Sequence, residues 1–581
     1  MGITGVSFNL LHEPWLPVVR LDGSSAKLGI VEVLKQSKML RGLVGETATV
    51  SSALHRLLLA FLHRTFRPVD DAQWRSLWLD SSGTGFPEEE LNAYAQDWAS
   101  RFDLFDPEAP FFQCPAVPAP RKWRSPAVLV GFRARGNNAT LFDHSTDSDK
   151  LRLTPDEAAR WLVTTQAYDT SGKKTGYDGT GNPSGESPPT ARFGCVLVEA
   201  DTLYRTLMLN LLDYDPADRR PRPTQPDDCP VWERPASESE NENGQRLPRG
   251  WTDVLTWPSR RIRLSHTTVN GQHMVDGVIV SPGSSCNLPI RDYEHMAAFR
   301  APWFAETASG SSRAAVPMPV RLDIMRGVWR HSQELLLPPE RRWWKTYRST
   351  GLKLSETGFP EEEPQRLRPA ALEHLAHLAD DGALPKDAVY TLRVFGQQVG
   401  SGGSGSIAAW CEEVVPAPVA LLRARNPRIG LLIGSAVALA DDLGSILRAL
   451  ERGFRQEFDE QFTLKEEDKR EKAGFRYQSE LRYWPRLPTS FAELLRNLAL
   501  LENIEPGNYL AEAEHEALDK WRRQAVRAAD MAAEQWLRQQ TRAGRTLLDA
   551  SAHHERYRAN CKNATRVLAR AVAARTPPEE A

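Results

Sequence analysis

The hydrophobic period of this chain changes once, near residue 365, and that change limits what each part can fold into. Before it, short apolar runs such as AVLVGF at 127–132, FGCVLVE at 193–199, RIRL at 261–264 and MVDGVIV at 274–280 sit between Gly, Pro and Asp turn residues. These alternate with helical stretches, so the first part reads as α+β. Beyond it, apolar residues recur every three or four positions: Leu439, Leu443, Ile446, Leu450 and Phe454, then Phe491, Leu494, Leu495 and Leu498. Leu518, Trp521, Ala525, Ala528 and Ala532 continue the pattern, as do Ala564, Val567, Leu568 and Ala571. Such stripes predict amphipathic helices packed as an antiparallel four-helix bundle. The expected division is therefore a mixed domain over 1–365 and a helical bundle over 366–581, joined at TGFPEEEPQRLRP, 357–369. Two polar stretches, 219–249 and 458–472, are expected to be an exposed excursion and a solvated connection.

At 581 residues with 41% apolar and 25% charged side chains, the chain can bury a large core. A formal net charge of -2 excludes a uniformly basic nucleic-acid coat but leaves room for segregated charge. The first residues lack a basic and then apolar leader, and the longest apolar run, 429–440, is too short to span a bilayer. A cytoplasmic protein with no membrane partner is expected. Six cysteines lie far apart with no CxxC pair, which suits reduced, buried thiols and no bound metal.

The stretch 153–189, LTPDEAARWLVTTQAYDTSGKKTGYDGTGNPSGESPP, joins a well-started helix to a loop that cannot build a core. Thr154 suits the N-cap, Pro155 the first helical turn, and Glu157 completes a capping box. The loop carries Gly172, Gly176, Gly179, Gly181 and Gly185, with Lys173 and Lys174 between the first two. Its composition allows a solvated, disordered connection. It equally allows a nucleic-acid contact, in which glycines admit a close backbone approach and lysines neutralise phosphate.

Signatures of catalysis are missing. Near Lys173 and Lys174, Ala167 stands where a phosphate-binding loop needs glycine, and the glycine run 400–405 lacks a following lysine. Asp143, His144, Asp147 and Asp149 match neither an EF-hand nor a zincin helix, so no catalytic residue, cofactor or metal is expected. Binding features remain. Phe142 stands among polar residues in NNATLFDH, and Gln397 and Gln398 adjoin a flexible run. From 520 to 575 thirteen basic side chains, Arg522, Arg523, Arg527, Arg558 and Lys562 among them, face four acidic ones, an excess suited to phosphates or to an acidic protein.

FNLLHEPWLPV at 8–18, FDLFDPEAPFFQ at 102–113, LFDH at 141–144, LTPDEAARWLVTTQAYD at 153–169 and TLYRTLMLNLL at 202–212 occur in this order. Together they resemble the large subunit of the type I-E CRISPR surveillance complex Cascade, the CasA family. The resemblance implies an α+β N-terminal domain, a C-terminal four-helix bundle and no catalytic activity. It implies recognition of the protospacer-adjacent motif in double-stranded DNA, help in opening the duplex, and display of the displaced strand to a helicase-nuclease. The implied partners are guide RNA, target DNA, the backbone and small subunits of Cascade, and that helicase-nuclease.

Residue by residue, the resemblance places the guide-handle docking loop at Phe142, Asp143 and His144. It places the motif-reading glycine loop at Ser171, Gly172, Lys173, Lys174 and Gly176. The family's wedge hairpin falls near Gly402, Gly403 and Ser404, which lack its glutamine, leaving Gln397 and Gln398 as nearby substitutes. Its minor-groove lysine has no counterpart before Trp303; Arg291 or Arg300 stands there instead. A protein scaffold that never touches DNA is the competing reading.

Overall fold

The computed structural model describes residues 6–120, 123–131, 151–176, 181–235, 245–286, 292–300, 318–323, 325–338, 343–348, 351–356, 367–399, 407–423, 425–426, 428–458, 463–472, 475–502, 508–540 and 544–573. The architecture is α+β, with a mixed N-terminal part and a helical C-terminal part. Compactness divides it into one unit of Met1–Ala297 with Arg393–Glu412 and a second of Ala298–Leu392 with Glu413–Ala581. This division is not the one expected at 365. The strands Val389–Val399 and Ile407–Pro418 form a three-stranded sheet with Cys195–Glu199, so residues 393–412 return to the first unit. Arg393 secures that return through Glu199 at 2.8 Å and Glu412 at 2.6 Å. A pairing across nearly two hundred residues leaves no trace in local periodicity.

The first unit is built around the helix Ala48–Phe66, whose residues from Thr49 to His63 are all buried. A helix apolar on nearly all sides belongs in a core, and the few polar groups it carries need partners there. Arg56 donates to both carboxylate oxygens of Glu294, at 3.0 and 3.1 Å, and to the Val254 carbonyl at 3.0 Å. The side chains of that pair are 2% and 0% exposed, so neither charge has water to fall back on. His55 and His63 each donate from Nδ1 to the carbonyl one turn earlier, Ser51 and Leu59, at 2.7 Å. His63 Nε2 then accepts the Leu212 N–H at 3.2 Å, which requires the neutral tautomer.

Against this helix lies the strand hairpin Arg260–Val269 and Gln272–Pro282, by way of the helix Pro155–Tyr168 that packs on both. Its turn is Asn270-Gly271, with φ of 51° and 80°, the left-handed pair that a tight hairpin needs. The polar stretch after 219 is not an exposed excursion where described. Trp232 and Asp228 are each 2% exposed, and Arg234 and Arg246 converge on the fully buried Asp253. Its charges turn inward on one another.

In the second unit the long helices pack as expected: Ile429–Phe458 against Asn508–Gln539 and Gly544–Ala573, and Asn508–Gln539 against Pro488–Glu502. Trp521 sits at their centre, donating to the Ala436 carbonyl at 3.1 Å and lying edge-on to Phe491 and Trp329. The first of these helices extends well past the apolar run 429–440 and is long and apolar enough to cross a bilayer, yet 72% of that window is buried among its neighbours. The charged stretch 458–472 departs from the solvated connection expected. Leu464–Lys472 is helical, and Glu467, 2% exposed, accepts from Tyr477 and Arg455 at 2.8 Å each.

Two outcomes follow from the central helix. Glu294→Ala leaves a buried guanidinium unpaired, and equilibrium urea unfolding is expected to lose about 3–5 kcal/mol. Burial pushes both histidines from 6.5 down to about 4. Only the unfolded chain takes up these protons between those pH values, so their contribution is complete above pH 6.5 and lost as pH falls toward 4. Urea midpoints measured from pH 7.5 to 4.5 are expected to fall, and to fall less in His63→Gln.

Candidate nucleic-acid interface

The helix Pro155–Tyr168 begins as its sequence requires. The Thr154–Glu157 capping box is formed, with the Glu157 carboxylate accepting the Thr154 N–H at 3.1 Å. Asp156, in the first turn, meets Lys27 at 2.6 Å and Arg160 at 2.9 Å. Burial would raise its carboxyl, but hydrogen bonds from Lys27, Thr154 and Arg160 hold it down at about 2. Arg160 also reaches Glu46 at 2.7 Å, so this end of the helix is tied to two other segments.

Its other end is held by Arg260, the first residue of the strand Arg260–Val269. Gln166 clasps the Arg260 backbone in both directions, accepting its N–H and donating to its carbonyl, each at 2.9 Å. The Arg260 guanidinium then bonds Asp169 at 2.6 Å, the Thr170 carbonyl at 3.2 Å and the Glu186 carbonyl at 2.7 Å. Asp169 and Thr170 open the glycine loop and Glu186 closes it. One buried cation thereby staples both stems of the loop to the hairpin beneath.

Above the staple the stems pair as a short antiparallel ladder, Gly172 opposite Gly185 and Lys173 opposite Ser184. The Lys174 N–H donates to Pro183 at 2.9 Å, and the Thr175 N–H to Val280 of the hairpin at 3.2 Å. Gly172 has φ +138° with open space where a Cβ would stand, so backbone conformation alone demands glycine there. The described stems are therefore an ordered platform and not a disordered connection.

The two loop lysines have different fates. Lys174 turns back to Asp169 at 2.6 Å with its side chain 12% exposed, and so shares the carboxylate that holds Arg260. It is a structural cation, contrary to the expected phosphate contact, because a buried carboxylate one turn away outcompetes solvent for it. Lys173, on the opposite side of the two-residue strand, is exposed, as is Ser171, whereas Gly176 is buried.

Of the other expected contacts, Gln397 donates to the Tyr168 carbonyl at 2.7 Å, so its amide caps the helix end and is not offered outward. Gln398 is half-buried on the same strand. Arg300 is exposed in the second unit and shares a hydrogen bond with His331 at 3.1 Å. Phe142, Asp143, His144, Arg291, Gly402, Gly403 and Ser404 lie outside the described residues. Arg522 and Arg523 share the single carboxylate of Asp519, and Arg558 meets Glu555 at 3.7 Å, so these three are engaged within their own helices while most of the charge excess remains. Arg527 and Lys562 are exposed and form no ion pair among the described residues.

Sequence reasoning missed Arg260 and Asp169. Both stand in ordinary contexts, a strand start and a helix end, and the bond between them spans 91 residues. A buried arginine with no nearby acidic residue in sequence was the one available signal.

The fold and the stapled loop define a two-unit α+β protein that carries a rigid glycine ladder in one unit and a helical bundle in the other. The family profile of the CRISPR-associated protein Cse1 matches residues 9–532. The CRISPR-associated protein CasA/Cse1 of Thermus thermophilus is 30% identical over 455 residues, 76% of this chain and 77% of that one. The crystal structure of Thermobifida fusca Cse1 superposes with a TM-score of 0.72 at 27% identity, covering 96% of this chain and 98% of that one. A chain of a CRISPR RNA-guided surveillance complex shares the fold, with a TM-score of 0.63 at 20% identity, covering 96% and 99%. This chain belongs to the CRISPR-associated Cse1 (CasA) family.

Asp169→Ala removes the shared acceptor of Arg260 and Lys174. At about 1.5–3 kcal/mol for a charge-assisted bond, amide exchange at Lys174 and Gly176 is expected to accelerate roughly ten- to a hundred-fold. Unchanged exchange would show that the ladder holds without its staple.

Proposed function

We propose that this chain is the non-catalytic large subunit of an RNA-guided surveillance complex, assembled with guide RNA and with backbone and small subunits of the Cascade type. In that role it reads a short protospacer-adjacent motif in double-stranded DNA, promotes opening of the duplex beside it, and presents the opened DNA to a helicase-nuclease. The supporting observation is the stapled glycine ladder, a short paired stem with one exposed lysine, Lys173. Family membership and the shared fold with a surveillance-complex chain support the assembly.

The chemistry follows from the shape. The half-buried Gly172, with open space where a Cβ would stand, leaves room for a groove edge beside exposed Lys173, whereas Gly185 is buried. The minor groove displays a degenerate pattern, and backbone contacts there distinguish few base pairs, so tolerance of several motifs is expected. Lys173 adds phosphate neutralisation beside the approach, while Lys174 keeps the ladder in place. Exposed Arg527 and Lys562 offer further phosphate contacts on the bundle. Arg522 and Arg523 share one carboxylate, Asp519, and keep a net positive charge, and a protein-docking surface there is the alternative reading.

Lys173→Ala in the assembled complex is expected to weaken binding to motif-bearing duplex several-fold and to lower the salt slope by about one. Affinity and slope equal to the parent would sink the DNA-facing role of this loop. Photocrosslinking of the complex to the duplex separates the readings, since a scaffold gives no adduct to this subunit.

A further inference from the structure

Within the first unit lies a cavity of about 60 Å³ lined in part by four arginines. Arg101 comes from the short turn Ala99–Phe102, Arg234 follows Val231–Glu233, and Arg260 and Arg261 open the hairpin strand. Among the described residues, no aspartate or glutamate lines it. A pocket of this volume holds roughly four waters or one tetrahedral oxyanion.

Two of these guanidinium groups are incompletely satisfied. Arg234 has a side chain 7% exposed and pairs with Asp253, yet its Nε is buried with no hydrogen-bond partner. The Arg101 Nε is likewise buried without one, and its side chain makes no hydrogen bond or ion pair among the described residues. Burial pulls the Arg101 pKa below its ordinary value, with Asp106 compensating only in part. Donors left unpaired in a closed space cost free energy unless something accepts from them.

We propose that this cavity is a binding site for a phosphoryl oxyanion, held by Arg101 and Arg234. Guanidinium donors arriving from two separate elements suit different oxygens of a tetrahedral anion, while Arg260 adds positive charge at the cavity wall with its own donors kept on the staple. The volume admits a phosphate group and excludes a base or sugar, so the phosphate is either inorganic or the terminal phosphate of a nucleic-acid strand. Arg260 lines the cavity while its donors stay on the staple, so an anion held beside it by Arg101 and Arg234 is sensed at the glycine ladder. The site stands independently of the DNA-reading role.

The test uses the full-length protein. Calorimetric titration with inorganic phosphate, against chloride at matched ionic strength, is expected to give one saturable site and a raised melting temperature. Arg101→Gln is expected to abolish both while melting no lower than the parent in chloride, because it removes an uncompensated cation. A second arm titrates a short oligonucleotide with and without a 5′-phosphate; preference for the phosphorylated form that Arg101→Gln removes assigns the terminal phosphate as the source. In the parent protein, amide exchange at Lys174 and Gly176 is expected to slow when phosphate is bound. Absence of a phosphate-specific site in the parent overturns the proposal, whatever the variant does, and so does binding that survives Arg101→Gln.

Discussion

One guanidinium holds the functional face of this protein together. Arg260 is 3% exposed and satisfies Asp169, Thr170 and Glu186 at once, so the helix Pro155–Tyr168, the glycine ladder and the Arg260–Pro282 hairpin share a single point of attachment. The ladder needs such an anchor because it has little of its own. Its described residues offer four paired positions, no apolar side chain of size, and glycines whose conformational freedom opposes ordering. A two-residue ladder isolated in water would not persist. Stapled at both stems, it becomes a projection whose position is set by the core.

The core draws that authority from the helix Ala48–Phe66. Because it is buried along fifteen residues, its polar groups cannot choose water, and each has one answer in the folded state. Arg56 with Glu294, His63 with Leu59 and Leu212, and Ser52 with Tyr168 at 2.7 Å all follow this rule. The last of these links the core helix to the final residue of the helix that enters the loop. Gln397 follows the same logic from the other side, closing the Tyr168 carbonyl that the helix end leaves unpaired. Core burial is thus converted into placement of the loop through a short chain of satisfied polar atoms.

Legibility in the sequence followed the range of the interactions. The capping box at Thr154 and the apolar stripes of the bundle are contests among neighbouring residues, and both were read directly. The fates of the charged residues could not. Lys174 was indistinguishable from Lys173 until Asp169 was seen to take it, and the basic excess of the last helices was overcounted because Asp519 stands one residue outside the window that defined it. The stretches after 219 and 458 looked solvated because they are polar, yet Asp253 and Glu467 bury that polarity in ion pairs. Composition reports how many charges a segment has and is silent on whether they pair.

The sequence by itself determined the kinds of element and their approximate extents, the α+β character, the helical C-terminal bundle and the family, because these rest on period, capping and ordered motifs within a few residues. Only the tertiary structure decided which loop lysine is exposed, where the units divide, and which arginines line one cavity. Those outcomes depend on partners such as Arg260 and Asp169, 91 residues apart, or Arg56 and Glu294, 238 apart. Pairing between charges so distant in sequence is selected by burial, since loss of water forces each buried ion to the acceptor that the packed fold brings within reach.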